Sequence, residues 1–464
     1  MAPSYETAVA RMFALGHELA QAPAHKFDLA HMRVLLQALD HPERRFPSVL
    51  IAGTNGKGST AATLASILRA SGLKTGLYTS PHLIRINERI QINGEEISDG
   101  DFASLHGDVD RIAEKLVERA ELPWHPSFFE MMTAIAFTHF VRERIDIAVL
   151  EVGMGGRLDA TNVVEPSVSV ITDISLDHQK YLGNTVREIA REKVGIIRSG
   201  GVVVALPQQP EANDVIGNTI LNLGARAVNA VPYVPPLVST EYRVPSTEQH
   251  LFTAGNTENA EKNRLAYRYP LAVMNEEILV ETPLVGRHQL RNVALAIAAA
   301  VELHQQGFHG ISAHTIQSGI RQTHWPGRFQ VIARPGGPEM VFDVAHNPAG
   351  AWALRSALSE CYAGRPLIFV FAAMRDKAIS EMTEILFPLA ECVVATRPGN
   401  PRAASPEEIQ QAAVRTGVKV EAVDDVPGAM ERARALASAS TSVIVVTGSI
   451  YLVGEVMREY SSSA

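Results

Sequence analysis

The chain reads as short apolar runs that alternate with segments of helical period. Pro47–Ala52 is a strand-length apolar run, followed by a glycine-rich turn and a helical pattern over Ser59–Ala70. Thr75–Thr79, Ile145–Val152, Val168–Ile174 and Val202–Leu206 have strand length and are rich in β-branched residues. Met131–Arg144 and Thr185–Ile197 carry the helical spacing between them. A strand–helix alternation of this kind predicts a mostly parallel sheet with helices on both faces. The stretch Asn229–Pro283 breaks the rhythm and predicts hairpins at a sheet edge plus loop, followed by a helix over Leu290–Gln305. A second series begins beyond Trp325-Pro326-Gly327. Its predicted strands are Met340–Val344, Leu367–Phe371, Cys392–Thr396, Val418–Val423 and Ser442–Val446, with helices such as Ala349–Leu358 and Pro406–Val414 between them. Pro326, Gly327, Pro335, Gly336, Gly337 and Pro338 mark a linker. The boundaries read 1–326 for the first domain, 327–338 for the linker and 339–464 for the second.

Composition narrows the function classes. The 464 residues are 46% hydrophobic and 20% charged, with a formal net charge of -8. This is the profile of a soluble globular chain of two or three domains, and it argues against a general positive field for nucleic acid. Two cysteines, Cys361 and Cys392, make neither a disulfide framework nor a thiolate metal site. No apolar run reaches membrane-spanning length, and Met1–Arg11 lacks the pattern of a signal peptide. A cytoplasmic enzyme is the expectation.

Candidate chemistry collects where strands end. Gly53-Thr54-Asn55-Gly56-Lys57-Gly58-Ser59 follows a strand and opens a helix. Glycines let backbone N–H groups approach phosphate oxygens, and the helix N-terminus adds positive potential. Lys57 would reach the outer phosphates, and Ser59 would ligate Mg²⁺ or phosphate. Gly58 separates the lysine from the serine, unlike the common phosphate-loop spacing. The plain alternative is a tight strand–helix turn without a ligand. Ser80-Pro81-His82, Glu151 and Asp177-His178 stand at the ends of three further strands. Oxygen donors with at most one imidazole suit Mg²⁺ or Mn²⁺ better than zinc. Taken singly, a strand-end His is more often a cap or a satisfied polar group and a strand-end Glu is a similarly weak signal, but their joint placement reverses those odds. Lys193 falls on the apolar stripe of Val186, Ile189, Ala190, Val194 and Ile197. A lysine there either snorkels to solvent or has a partner or a task.

These motifs, together with Leu150–Asn162, Glu192–Ile197, Pro326-Gly327-Arg328-Phe329 and Asp343–Pro348, occur in an order and spacing that resembles the folylpolyglutamate synthase/dihydrofolate synthase family of the Mur-ligase superfamily. The resemblance spans essentially the whole chain. It implies a P-loop-type, mostly parallel α/β sheet domain plus a smaller Rossmann-like α/β C-terminal domain. The implied reaction joins L-glutamate to dihydropteroate, or to the glutamate tail of folates, through an acyl phosphate, with ATP giving ADP and phosphate. Gly56, Lys57, Gly58 and Ser59 match the ATP phosphate contacts, and Asn292, Arg328, Asp343 and His346 match further nucleotide contacts. Ser59, Ser80, Glu151 and His178 match the Mg²⁺ site, where two ions are expected. Lys193 matches the lysine that the family carbamylates with CO₂, and Lys57, Glu151, His178 and Lys193 make up the implied catalytic set. On the pterin side the matches are Lys26, Phe27, Asp28 and Leu29, then Ser127, Phe128, Phe129 and Glu130, then Leu158, Asp159 and Ala160. Phenylalanine rings suit stacking on a flat pterin, with plain core as the alternative. Lys377 and Arg402 are placed on glutamate's carboxylates by charge and position, although Ala378 departs from the family's usual acidic residue. The implied partners are small molecules alone, with no nucleic acid and no membrane, and the chain is expected to be a monomer. Competing expectations are a Mur-type ligase acting on another carboxylate and a P-loop phosphotransferase. The UDP-sugar branch usually has an extra N-terminal domain, and the roughly 50 residues before the phosphate loop are too few for one.

Overall fold

The computed structural model describes residues 4–16, 29–236, 241–243, 266–333, 337–437 and 441–461. Two compact units are present: residues 1–235, 270–279 and 291–323 form one, and residues 236–269, 280–290 and 324–464 form the other.

The first unit is built on an eight-stranded sheet. Its strands are β1 (Ser48–Ala52), β2 (Thr75–Tyr78), β3 (Ile90–Ile92), β4 (Glu95–Glu96), β5 (Ile147–Glu151), β6 (Val168–Ile171), β7 (Val202–Ala205) and β8 (Arg226–Asn229). The order is β4-β3-β2-β5-β1-β6-β7-β8. Every pair from β2 to β8 is parallel, and β3 and β4 add an antiparallel edge. Strands β1, β5 and β6 are buried along their whole length. That is why they read as largely apolar runs, with Ser169 inside β6 the interior exception, since a parallel sheet covered on both faces has no polar side. The chain runs outward from β1 in both directions, so the strand order switches beside it. In open α/β sheets the carboxyl ends of strands at such a switch are where ligands sit.

The helix Lys57–Ala70 packs beside the helix Ala313–Arg321 at unusually short range. A Cβ on Gly319 would lie 2.3 Å from Ile67 Cα, and Ser66 Oγ donates to the Gly319 carbonyl at 2.7 Å. The predicted helix over Thr185–Ile197 is an α-helix only for Val186–Lys193, capped by Thr185 and Glu188, with a 3₁₀ turn over Val194–Ile196. The predicted helix over Met131–Arg144 begins earlier, at Phe128. Ser127 caps it, and the Glu130 carboxylate accepts from the Ser127 amide at 2.8 Å. That reciprocal cap explains why Ser-x-x-Glu stands here.

The stretch Asn229–Pro283 corrects the sequence expectation. Its strands β9 (Glu241–Arg243), β10 (Ala266–Val273) and β11 (Glu276–Thr282) form a sheet of their own rather than an edge of a larger one. The hairpin itself is as read. Met274 and Asn275 link β10 to β11 with φ values of 53° and 65°, the left-handed pair that suits a two-residue turn. Residues 244–265 lie outside the described residues.

The second unit carries a six-stranded sheet in the order β12-β13-β17-β14-β15-β16. The strands are β12 (Gln330–Ile332), β13 (Glu339–Phe342), β14 (Leu367–Phe371), β15 (Cys392–Ala395), β16 (Val420–Ala422) and β17 (Val443–Thr447). All pairs are parallel except β12 with β13. Strand β12 falls inside the stretch read as linker. Among the described residues, no helix is long and apolar enough to cross a membrane.

Candidate nucleotide and acyl-transfer site

The loop after β1 is fixed from both sides. The amides of Thr54 and Asn55 donate to the Asp173 carbonyl at 2.8 and 3.2 Å. Thr54 Oγ1 donates to the Ser175 carbonyl at 3.0 Å and accepts from the Ser175 amide at 3.1 Å. Gly56 caps the helix Lys57–Ala70 in the left-handed region, at φ 87°. A Cβ there would sit 2.2 Å from Asn292 Oδ1, so the position needs glycine for space as well as for conformation. Asn292 is buried against this loop, and beside it the Arg291 guanidinium holds the Asp173 carboxylate at 2.7 Å. The result is a preformed turn at a helix N-terminus, the arrangement that binds phosphates.

Two lysines converge on the same loop. Lys57 Nζ donates to the Thr54 carbonyl at 3.2 Å, and Lys193 Nζ donates to the Gly53 carbonyl at 2.7 Å. Lys193 is only 4% exposed, which rules out snorkelling. Burial, aided by the neighbouring Lys57 charge and opposed by Asp177 and Asp159, pulls its amine down to about 7. A buried lysine in this state is half neutral near physiological pH and can react as an amine.

Glu151 ends β5, where its neighbour Ile51 lies in register on β1. It is buried, and one carboxylate oxygen accepts from the Ser80 amide at 3.2 Å. Ser80 follows β2, the next strand out. His178 lies beyond β6 in the left-handed region (φ 49°), with Nε2 3.9 Å from the Asp177 carboxylate. The carboxyl ends of four adjacent strands, β2-β5-β1-β6, thus carry Ser80, Glu151, the phosphate loop and His178. Among the described residues, no three His, Cys, Asp or Glu side chains converge as a ready-made metal cage. One buried carboxylate with hydroxyl oxygens beside a phosphate loop nonetheless fits Mg²⁺. That ion usually takes one or two carboxylates and completes its shell with water and substrate phosphates.

The pterin-side residues separate. Lys26, Phe27 and Asp28 lie outside the described residues, and Leu29 is a buried residue at the start of the helix Leu29–Ala38. Ser127 and Glu130 cap a helix. Phe128 is buried between two covers: the Phe13 ring lies at 5.9 Å and 19°, and the Arg89 guanidinium at 5.1 Å. Phe129 keeps part of its surface and lies against Gly153, where a Cβ would be 2.6 Å from its ring. Asp159 accepts from the Thr161 amide and hydroxyl and from the Met154 amide, tying the glycine loop after β5 between Leu158 and Ala160. Burial nevertheless pushes its carboxyl up. Sequence reading missed Asp173, which stands at a strand end like Glu151. It also missed Arg89, whose Nε donates to His82 Nδ1 at 2.8 Å.

In the second unit, Asp343 directly follows β13 and accepts from the amides of Phe329 and Ala345 at 2.8 and 2.9 Å. Burial raises its carboxyl, while Arg328, those two amides and His346 act against the rise. Arg328, Asp343 and His346 are therefore brought together. Lys377 follows β14 and Arg402 follows β15, the adjacent strand. Their loops are joined by a bridge between Met374 and Ala403 and by the Arg375 amide donating to the Arg402 carbonyl at 2.9 Å.

A phosphate loop at a sheet switch, a buried reactive lysine beside it and a second α/β unit define a nucleotide-dependent ligase of the Mur type. Comparison with known proteins agrees: residues 125–300 match the Mur ligase middle domain and residues 327–450 the Mur ligase glutamate ligase domain. The dihydrofolate synthase/folylpolyglutamate synthase of Bacillus subtilis is 33% identical over 432 residues, covering 93% of this chain and 94% of the relative. That of Escherichia coli is 33% identical and covers 88% and 85%. The Mycobacterium tuberculosis folylpolyglutamate synthase complexed with ADP and AMPPCP superimposes with a TM-score of 0.81 at 30% identity, covering 98% and 99% of the two chains. The chain belongs to the dihydrofolate synthase/folylpolyglutamate synthase family.

Proposed function

We propose that this enzyme adds L-glutamate to dihydropteroate, to the glutamate tail of folates, or to both, with ATP as the phosphoryl donor. The observation that carries the reading is the pair of lysines, Lys57 and Lys193, held on one preformed phosphate loop. Relatives along nearly the full chain are named for these activities. The acceptor's carboxylate attacks the γ-phosphorus of ATP and ADP leaves, giving an acyl phosphate. The amino group of glutamate then attacks the acyl carbon, phosphate leaves, and the nitrogen loses a proton. Transfer between two anions needs positioning and cationic neutralisation more than covalent help from the protein. The loop amides and Lys57 hold the phosphates, with Gly56, Gly58 and Ser59 around them. Asn292 supports the loop, and Arg328, Asp343 and His346 are assigned to the nucleotide by the family resemblance. Phe129, Leu158 and Ala160 suit the pterin, with Lys26, Phe27 and Asp28 assigned by resemblance. Lys377 and Arg402 suit glutamate's carboxylates. The enzyme is taken as a cytoplasmic monomer.

Mg²⁺, when bound, would neutralise phosphate charge. Ser59, Ser80, Glu151, His178 and Lys193 as a carbamate would hold two such ions. Glu151→Ala and His178→Ala are each expected to shift Mg²⁺ binding, followed by calorimetry in the presence of ADP, to about tenfold weaker. Unchanged titrations for both variants would place the metal elsewhere. The reaction itself is tested by ADP release from the purified enzyme. Release should require both L-glutamate and a pteroate, with dihydropteroate and tetrahydrofolate compared as acceptors. Equal release without either would overturn the reading.

A further inference from the structure

The loop carrying Arg402 is seated on the helix Ile450–Ser461. The Gly399 amide donates to Glu455 Oε2 at 3.1 Å, and the Arg402 amide donates to Asn400 Oδ1 at 3.0 Å. On the other side the Ala404 amide donates to the Ala373 carbonyl at 2.9 Å. The backbone of Arg402 is thereby fixed, but its side chain has four flexible torsions. Two contacts settle them. One terminal nitrogen, Nη2, donates to the Tyr451 hydroxyl at 3.3 Å, and the other, Nη1, stands 3.6 Å from Asp376 Oδ1. Tyr451 is itself placed by its own amide, which donates to the buried Ser449 hydroxyl at 3.2 Å.

The two contacts are unequal. Asp376 is nearly half exposed, and an exposed ion pair at that distance contributes little. The Tyr451 residue is partly buried, and its hydroxyl, unlike a carboxylate, orients the guanidinium without pairing with its charge. A guanidinium has five N–H donors, and the two contacts leave enough of them to grip a carboxylate in the forked manner.

We propose that Tyr451 is a positioning residue, which sets the Arg402 guanidinium for one carboxylate of the incoming L-glutamate. This rests on the assignment of Arg402 to glutamate made above. Tyr451→Phe removes one hydroxyl and keeps the ring. It should raise KM for L-glutamate about tenfold, the size expected for a lost hydrogen bond to a charged group. The kcat and the KM values for ATP and for the folate acceptor should stay within about twofold, which a general loss of structure would not spare. Arg402→Ala should raise the same KM at least as much, and adding Tyr451→Phe to it should cost nothing further, because the two act as one unit. If Arg402→Ala raises KM for glutamate and Tyr451→Phe leaves it unchanged, Arg402 needs no support and the inference fails alone. If Arg402→Ala leaves it unchanged, the glutamate assignment fails and the inference with it. Additive losses in the double variant would show that Tyr451 acts independently of Arg402, which also overturns the proposal.

Discussion

Lys57→Ala is expected to lower turnover by about a hundredfold to a thousandfold, the cost of removing one preorganised group that stabilises charge in a transition state. The fold should survive. Lys57 is only partly buried, its one contact on the loop is the Thr54 carbonyl at 3.2 Å, and the loop is fixed independently through Asp173, Ser175 and Asn292. Steady-state ADP release and a thermal melt on the same preparation separate the two effects. A variant with normal turnover would show that the phosphates are held without this lysine. A variant that melts early would show that the ammonium is structural.

Lys193→Ala is expected to be as damaging, and here the chemistry offers a sharper test. The amine is enclosed, its protonated form is disfavoured, and the metal site proposed beside it would repel an ammonium. Reaction of the neutral amine with CO₂, as proposed above, would replace that cation by a carboxylate. A small carboxylate such as acetate or formate should therefore restore part of the activity of Lys193→Ala. Lys193→Arg should stay inactive, because a guanidinium neither loses its proton nor carbamylates. The pH dependence has a definite sign. The folded amine titrates near 7, well below its unfolded value, so the penalty for burying it is fully present below pH 7. That penalty is relieved as pH rises from about 7 towards the unfolded value. Uptake of ¹³CO₂ by the metal-free protein should follow the neutral fraction and climb as pH rises through about 7. Absence of a labelled carbamate carbon at pH 8, with lysine intact, would end the idea.

Much of this site was legible because its physics is local. Strands β1, β5 and β6 announce themselves as largely apolar runs, so Gly53 just past β1, Glu151 at the end of β5 and His178 in the loop beyond β6 could be ranked without a fold. Lys193 stood out for a similar reason, as a charge on a stripe of Ile189, Ala190 and Val194. What sequence could not supply were the partners brought from afar. Asn292 was named through the family resemblance, but nothing in the sequence showed that, more than two hundred positions beyond Gly56, its amide oxygen fills the space a Cβ there would need. Phe128 was read as a stacking surface with plain core as the alternative, and its neighbour Phe13, from the helix Tyr5–Ala14, was not foreseen. The hairpin of β10 and β11 was legible from its turn, but its separation from both large sheets was not. Pairing between distant strands leaves no mark in a single segment. The capping box at Ser127 and Glu130 was a readable signal of a helix start that the sequence reading did not use.

The contact between Gly319 and Ile67 places an outlying position in charge of the phosphates. A Cβ on Gly319 would meet the backbone of Ile67, with Cα at 2.3 Å and N at 2.7 Å, so trimming the isoleucine side chain makes no room. Either the helix Lys57–Ala70 or the helix Ala313–Arg321 would have to shift. The far end of the first is the turn that presents Gly58 and Ser59, about 15 Å away at 1.5 Å of rise per residue. Where that helix is the one to give way, alanine at 319 would act as a wedge at one end of a lever, loosening the grip on ATP from a helix that supplies no residue to the phosphate loop.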